Sequence, residues 1–190
     1  MTMIKSVFRN WHRYVLWAVI SFMFWAWIVS RITNAFPRNK VTVYAETGAI
    51  DGEALTERFD GMLPDGIRLV EFNRFDAMIF QPTAVLSGDL YLIPESKADE
   101  YLASFLPIDT DAFPGGTFFM RDGKAYGVCV YDPETGTGAW DRYIAYPEDK
   151  RCYLFFSRDS RHIGTNKKAF DDAANAVATL FIKSGQEENP

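Results

Sequence analysis

The sequence predicts an α/β domain with three αβα layers around a mostly parallel central sheet, preceded by one transmembrane helix. Three observations carry this expectation. Short apolar stretches at 40–45, 67–72 and 89–94 are each followed by a segment with apolar residues at helical spacing or with helix-end signals. Strands separated by helices need crossover connections, and crossovers give parallel sheets with helices on their faces. Upstream, YVLWAVISFMFWAWIVS (14–30) is a 17-residue run without charge or proline.

At a rise of ~1.5 Å per residue that run is about 25 Å long. It approaches a hydrocarbon core of about 30 Å once flanking Arg and Trp side chains snorkel. Trp11, Tyr14, Trp17, Trp25 and Trp27 suit interfacial anchoring. A buried soluble helix and a cleaved signal peptide are the other readings. The sequence after it, SRITNAF, lacks an A-x-A-like site, and no lipobox cysteine adjoins it. Lys5, Arg9 and Arg13 precede the run and Arg31, Arg38 and Lys40 follow it, so charge gives almost no orientation. The organisation expected is a basic segment (1–13), a membrane helix (14–30), a linker (31–39), one domain (40–183) and a frayed tail (184–190).

Within the domain, KVTVYA (40–45) reads as the first strand. Asp51 is placed to cap a helix carrying Glu53 in its first turn and Leu55, Phe59, Met62 and Leu63 at helical spacing. Gly61 and Pro64 stop it. IRLVEF (67–72) is the second strand. QPTAVLSG (81–88) reads as a short helix with Pro82 at its first position. DLYLIP (89–94) is the third strand, and Ser96 is placed to cap KADEYLASF. TFFMRDGKAYGVCVYD reads as a hairpin around Asp122-Gly123, PETGTGAWDRY as an exposed loop, and CYLFFS (152–157) as a central strand covered on both faces. The last helix is expected over 166–183, capped by Thr165 or Asn166.

Five of the 20 basic residues and none of the 25 acidic ones lie before residue 40. Residues 40–190 therefore hold 15 basic and 25 acidic residues, a net charge of −10. A surface of that sign excludes nucleic acid held through its phosphates, and it opposes a domain lying flat on an anionic leaflet. Cys129 and Cys152 are the only cysteines. They pair if their strands are neighbours, or both are small buried hydrophobes, the reading favoured here. With two scattered histidines they make no zinc pattern, and no metal or cofactor is expected.

KVTVYAETGAIDGEALTERF, IRLVEF, LSGDLYLIP, SKADEYLASFLPID and GKAYGV, in that order over residues 40–131, resemble the first lobe of the type II periplasmic-binding-protein family, the extracytoplasmic solute receptors of ABC transporters. The resemblance implies one lobe of that fold, no catalysis, a small solute or a transporter as partner, and a domain outside the cytoplasm on a single-pass anchor. Only residues 133–151 separate the strand ending at Asp132 from CYLFFS, which leaves no room for a second lobe.

In an open α/β sheet, ligands sit beyond the carboxyl ends of the strands. The candidate contacts there are Glu46, Thr47, Gly48 and Asp51 after the first strand, Phe80, Gln81 and Thr83 after the second, Glu95 and Ser96 after the third, and Trp140 in the 132–145 loop, where it either forms a local plug or stacks on a ligand. Carboxylates crowd this edge; they either satisfy the N-terminus of the helix near Asp51 themselves or suit an amine-bearing solute or a basic patch on a partner. Phe75, Met78, Ile79 and Phe80 are large for a connector, and either pack under the edge or dock a partner. Ser157, Ser160 and His162 in SRDSRHIG are the only nucleophile-and-base grouping, and no G-x-S-x-G, Walker A, H-E-x-x-H or C-x-x-C motif is present. The expectation is a non-enzymatic module that binds a solute or docks to a transporter. The alternative is an adaptor that keeps the fold without a ligand and binds protein partners.

Overall fold

A computed structural model describes residues 11–33, 36–75, 88–165 and 169–187. The chain divides into two units between Phe36 and Pro37. The first contains α1, Trp11–Thr33, 23 residues long. Its stretch Trp11–Val29 is long and apolar enough to cross a membrane. Large side chains are exposed all round it, Trp17 at 67% and Phe22 at 76% among them. A helix of a soluble domain would bury one stripe of these.

The second unit is built on a mixed sheet. Its strands are β1 (Lys40–Ala45), β3 (Leu69–Arg74), β4 (Leu90–Pro94), β5 (Phe118–Arg121), β6 (Lys124–Asp132), β7 (Thr137–Gly138) and β9 (Cys152–Phe156), in the order β3-β1-β4-β9-β6-β5 with β7 on β6. β1 runs parallel to β3 and β4, with Val41 beside Val70 and Val43 beside Leu90. β9 is antiparallel to both β4 and β6, and β5 is antiparallel to β6. One half of the sheet is therefore parallel and the other antiparallel. The reason is connection length. A parallel neighbour needs a crossover, whereas a tight turn or a return along one edge reverses the chain. Asp122 and Gly123, at φ of 49° and 73°, make the tight turn between β5 and β6. Two short strands, β2 (Ala49–Ile50) and β8 (Ile144–Ala145), pair separately.

Alternation along the strands separates two cores. Val41, Val43, Leu90, Leu92, Cys152, Leu154 and Phe156 face one way and meet Leu55 and Phe59 of α2 (Gly52–Phe59) and Val177 and Phe181 of α4 (Ala173–Glu187). Tyr91, Ile93, Tyr153 and Phe155 face the other way and meet Ala98 and Tyr101 of α3 (Glu95–Tyr101) with Phe105. β9 is buried along its whole length, as a strand between β4 and β6 with cover on both faces must be. The cysteines are free although their strands are neighbours. Cys152 lies in the first core, whereas Cys129 packs against the second.

Asp51 does cap α2, its carboxylate accepting from Ala54 N–H at 3.1 Å. Several expected ends differ. β3 covers Leu69–Arg74 rather than 67–72. Ser96 is not a cap: α3 begins at Glu95 after an extended Pro94, and no side chain caps it. α4 begins at Ala173 rather than 166, and Phe170 stands before it, 42% exposed. Residues 184–187, expected in a frayed tail, are the last turn of that helix. The helix expected at 81–88 lies, apart from Gly88, outside the described residues.

Candidate functional site

The carboxyl ends of β1, β3 and β4 define the edge where the sequence places a ligand. Its surface is made by two loops bound to each other. Gly48 N–H donates to the Ala145 carbonyl at 3.0 Å and Asp51 N–H to the Tyr143 carbonyl at 2.8 Å, on either side of the β2–β8 pair. Thr47 turns inward on its own loop, its hydroxyl donating to the Ala49 carbonyl at 3.2 Å. The 133–151 segment thus lies over the β1 loop.

Trp140 is the centre of this closure, which corrects the exposed loop expected at PETGTGAWDRY. Its side chain is 2% exposed and sits 5.2 Å from the Phe59 ring and 6.2 Å from Phe181, centroid to centroid. Its indole N–H donates to the Phe181 carbonyl at 2.8 Å. Trp140 holds a φ of 63°, in the left-handed region that a bulky residue rarely enters, and such a conformation costs about 1–3 kcal/mol. The surrounding contacts impose it: Trp140 C=O accepts from both Tyr143 and Ile144 N–H. Trp140 therefore presents no face for a ligand to stack on.

The remaining candidates are divided. Asp51 lines a shallow hollow of about 600 Å³ with Glu53, Asp141 and Arg142. Glu95 and Ser96 line another, of about 350 Å³, with Glu134, Asp149 and Arg151. Arg151 answers much of the negative charge there, binding Asp132 at 3.0 Å and Glu134 at 3.1 Å. Glu46 lines neither. Its Oε1 is paired with Lys97, while Oε2 is buried and, among the described residues, is the only buried side-chain nitrogen or oxygen without a hydrogen-bond partner. Burial first, and then the Glu46 charge, push the Tyr101 phenol above its ordinary value. Phe80, Gln81 and Thr83, with Met78 and Ile79, lie outside the described residues. Phe75 packs against Tyr91 and Tyr101 under the edge. A cavity of about 630 Å³ opens elsewhere, between the 112–117 segment, β6 and the end of α4, and none of the seven candidates among the described residues lines it.

The opposite edge, at the amino ends of β1 and β4, holds a buried polar network. Asp89 is 6% exposed and accepts from Thr42 N–H at 2.9 Å and from the Ser160 hydroxyl at 2.6 Å. Ser160 Oγ in turn accepts from His162 N–H at 3.0 Å. The His162 ring bonds Asp171 Oδ1 through Nδ1 at 2.8 Å and the Pro37 carbonyl through Nε2 at 2.9 Å. Both ring nitrogens are taken, so the imidazole is not aimed at the Ser157 or Ser160 hydroxyl as a base activating a nucleophile is. Burial pushes the Asp89 carboxyl up against the pull of its bonds from Ser160 and Thr42. Burial pulls His162 down, but its bonds to Pro37 and Asp171 and the nearby carboxylates outweigh this and leave it above the ordinary histidine value. In the sequence these residues stand out only as a nucleophile-and-base grouping. The signal that marks them is a polar and ionisable run, SRDSRH, directly after a fully apolar central strand.

Among the described residues no group of three or more His, Cys, Asp or Glu side chains is placed to hold a metal ion. Comparison with family models, with curated proteins and with solved structures finds no match to the chain.

Proposed function

We propose that the chain is a membrane-anchored, extracytoplasmic, non-enzymatic module, a single-lobe relative of the type II periplasmic-binding-protein family, that docks to a protein partner in the membrane such as a transporter. The observation that supports docking over solute capture is Trp140. In a two-lobed receptor a solute is enclosed between the lobes at this edge. Here the edge is filled by the chain's own indole and bridged by β2–β8. A module of this kind keeps the fold and presents its loops to a partner. The apolar α1, exposed along residues 11–27, supports a membrane location, and the outward sidedness rests on the family resemblance.

One observation favours a second reading, a receptor for an amine-bearing solute. Glu46 Oε2 is a buried acceptor without a donor at the carboxyl edge, and such a group gains by meeting one. The two readings separate in one experiment on the full chain in nanodiscs: a thermal-shift screen against amino acids, amines, peptides, sugars, metal ions and phosphates, paired with crosslinking in native membranes. A ligand at ~100 times its dissociation constant adds about 2.7 kcal/mol. A flat screen with one membrane protein captured reproducibly supports the docking module. A specific shift by an amine that Glu46→Gln abolishes replaces it with the receptor.

A further inference from the structure

The network at the amino edge joins three parts of the chain that are remote in sequence. Pro37 lies in the turn Pro37–Asn39, four residues after the last residue of α1 and directly before β1. His162 is 125 residues away, in the segment that follows β9. Asp171 precedes α4, and its Oδ1 also accepts from Ala173 N–H at 3.0 Å, so it fixes the first turn of that helix. His162, 2% exposed, lies between the other two.

The chemistry of the partners sets the protonation of the ring. A peptide carbonyl only accepts, so the Pro37 contact needs a proton on Nε2. An ionised carboxylate also only accepts, and Asp171 Oδ1 takes the Ala173 N–H as well, so the contact at Nδ1 needs a second proton. A neutral imidazole has one N–H. When a proton leaves, the bond to the carboxylate is the stronger and is kept, because it is charge-assisted. Nε2 then points a lone pair at the Pro37 oxygen, and that contact becomes repulsive. The charges around the ring are mixed. Asp171 and Asp89 favour the cation. Arg38 and Arg161 oppose it, their guanidinium carbons standing 5.8 and 5.5 Å from the centre of the Phe170 ring, which meets the imidazole edge-on at 6.0 Å. Thr42 and Ser160 contribute hydrogen bonds to Asp89 and no charge.

We propose that His162 is a proton-dependent latch: doubly protonated, it fastens the segment that follows the apolar helix to the start of α4, and deprotonation as pH rises releases that segment. The latch is independent of what the carboxyl edge binds. It lets the surrounding pH set how firmly residues 37–39 are held at the start of the domain.

The test uses the full chain in nanodiscs, with ¹⁵N-labelled histidine in a His12→Gln background so that His162 is the one ring observed. Ring ¹⁵N shifts and hydrogen exchange of the 36–42 backbone, corrected for intrinsic rates, are followed from about pH 6 to about pH 9, bracketing the ordinary histidine value near 6.5 and values above it. The expected result is a ring with both nitrogens protonated at about pH 6, a midpoint above the ordinary histidine value, and exchange in 36–42 that rises through that midpoint. Asp171→Asn should move both midpoints down together, and His162→Gln should remove the pH dependence of exchange. A folded chain with a single neutral tautomer at about pH 6 overturns the latch. So does exchange that stays flat while the ring titrates, or a midpoint that Asp171→Asn leaves in place.

Discussion

The two edges of the central sheet are built in opposite ways. The carboxyl edge, where an open α/β sheet offers its ligand site, is closed by an indole held in a strained backbone conformation and by loops bound to each other. The amino edge, which carries no such expectation, holds the buried histidine and aspartate and joins the residues after α1 to the start of α4. The contrast shows how topology and chemistry part company. Strand order determines where a pocket can form, but the side chains of the connecting segments decide whether it stays open. Residues 133–151 are too few for a second lobe and long enough to fold back over the edge, and Trp140 fills the space.

The first way to break this contrast is to remove the plug. Trp140→Ala should lower stability by about 3–5 kcal/mol, the usual loss for truncating a large buried aromatic, measured by urea denaturation of the full chain in detergent. The ring signal of His162 should not change where the variant is folded, because the two edges share no side chain. Coupled changes would show that they are one unit. A smaller effect is expected at Gly52. A Cβ there would be driven into the Phe72 carbonyl oxygen, inside van der Waals contact. Gly52→Ala should therefore cost about 1–3 kcal/mol, and a neutral result would mean that α2 can shift away from β3.

The amino edge gives the pH prediction, and its sign follows from linkage. His162 and Asp89 both have folded values above their ordinary ones. Each therefore binds its proton more tightly in the folded chain, and stability falls as pH rises. The His162 contribution is complete below about 6.5 and is lost as pH passes its raised folded value. The Asp89 contribution is lost in the same direction, starting above the ordinary carboxylate value near 3.9. Urea midpoints taken at successive pH values should decline across both ranges. In His162→Gln the upper decline should vanish while the lower one persists. An upper decline that survives would place its source elsewhere.

The strands were legible because their physics is local. KVTVYA, DLYLIP and CYLFFS carry period-two or continuous apolar patterns that only a pleated, buried ladder satisfies, and Asp51 declares a helix start through its own carboxylate. What the sequence hid depends on partners far along the chain. Trp140 reads as either a local plug or a ligand-stacking group, and Phe59 and Phe181 packed around it decide for the plug. Phe170 fits helical spacing with Ala173 and Ala174, yet it lies before the helix, packed against His162, Arg38 and Arg161. His162 gives no hint of its bond to Pro37, 125 residues away. The candidate ligand residues were chosen by strand-end position, and position alone cannot tell a contact facing solvent from one turned into its own loop, as Thr47 is.

Glu46 makes the smallest and most discriminating test of the contrast. Its pair with Lys97 involves a side chain 48% exposed, so the pair is worth about 0–1 kcal/mol. Glu46→Gln loses the pair with Lys97 and also removes the charge from a buried oxygen that has no partner. The two effects oppose each other, and the urea midpoint should move by less than about 1 kcal/mol in either direction. If the edge is merely closed structure, nothing else should change, and crosslinking to a membrane partner should proceed as before. If the carboxylate is instead the recognition group of an amine site, stability will still hardly move while the amine-induced thermal shift disappears. The variant thus separates a buried charge tolerated by a closed edge from one kept to meet a cation, with folding held nearly constant.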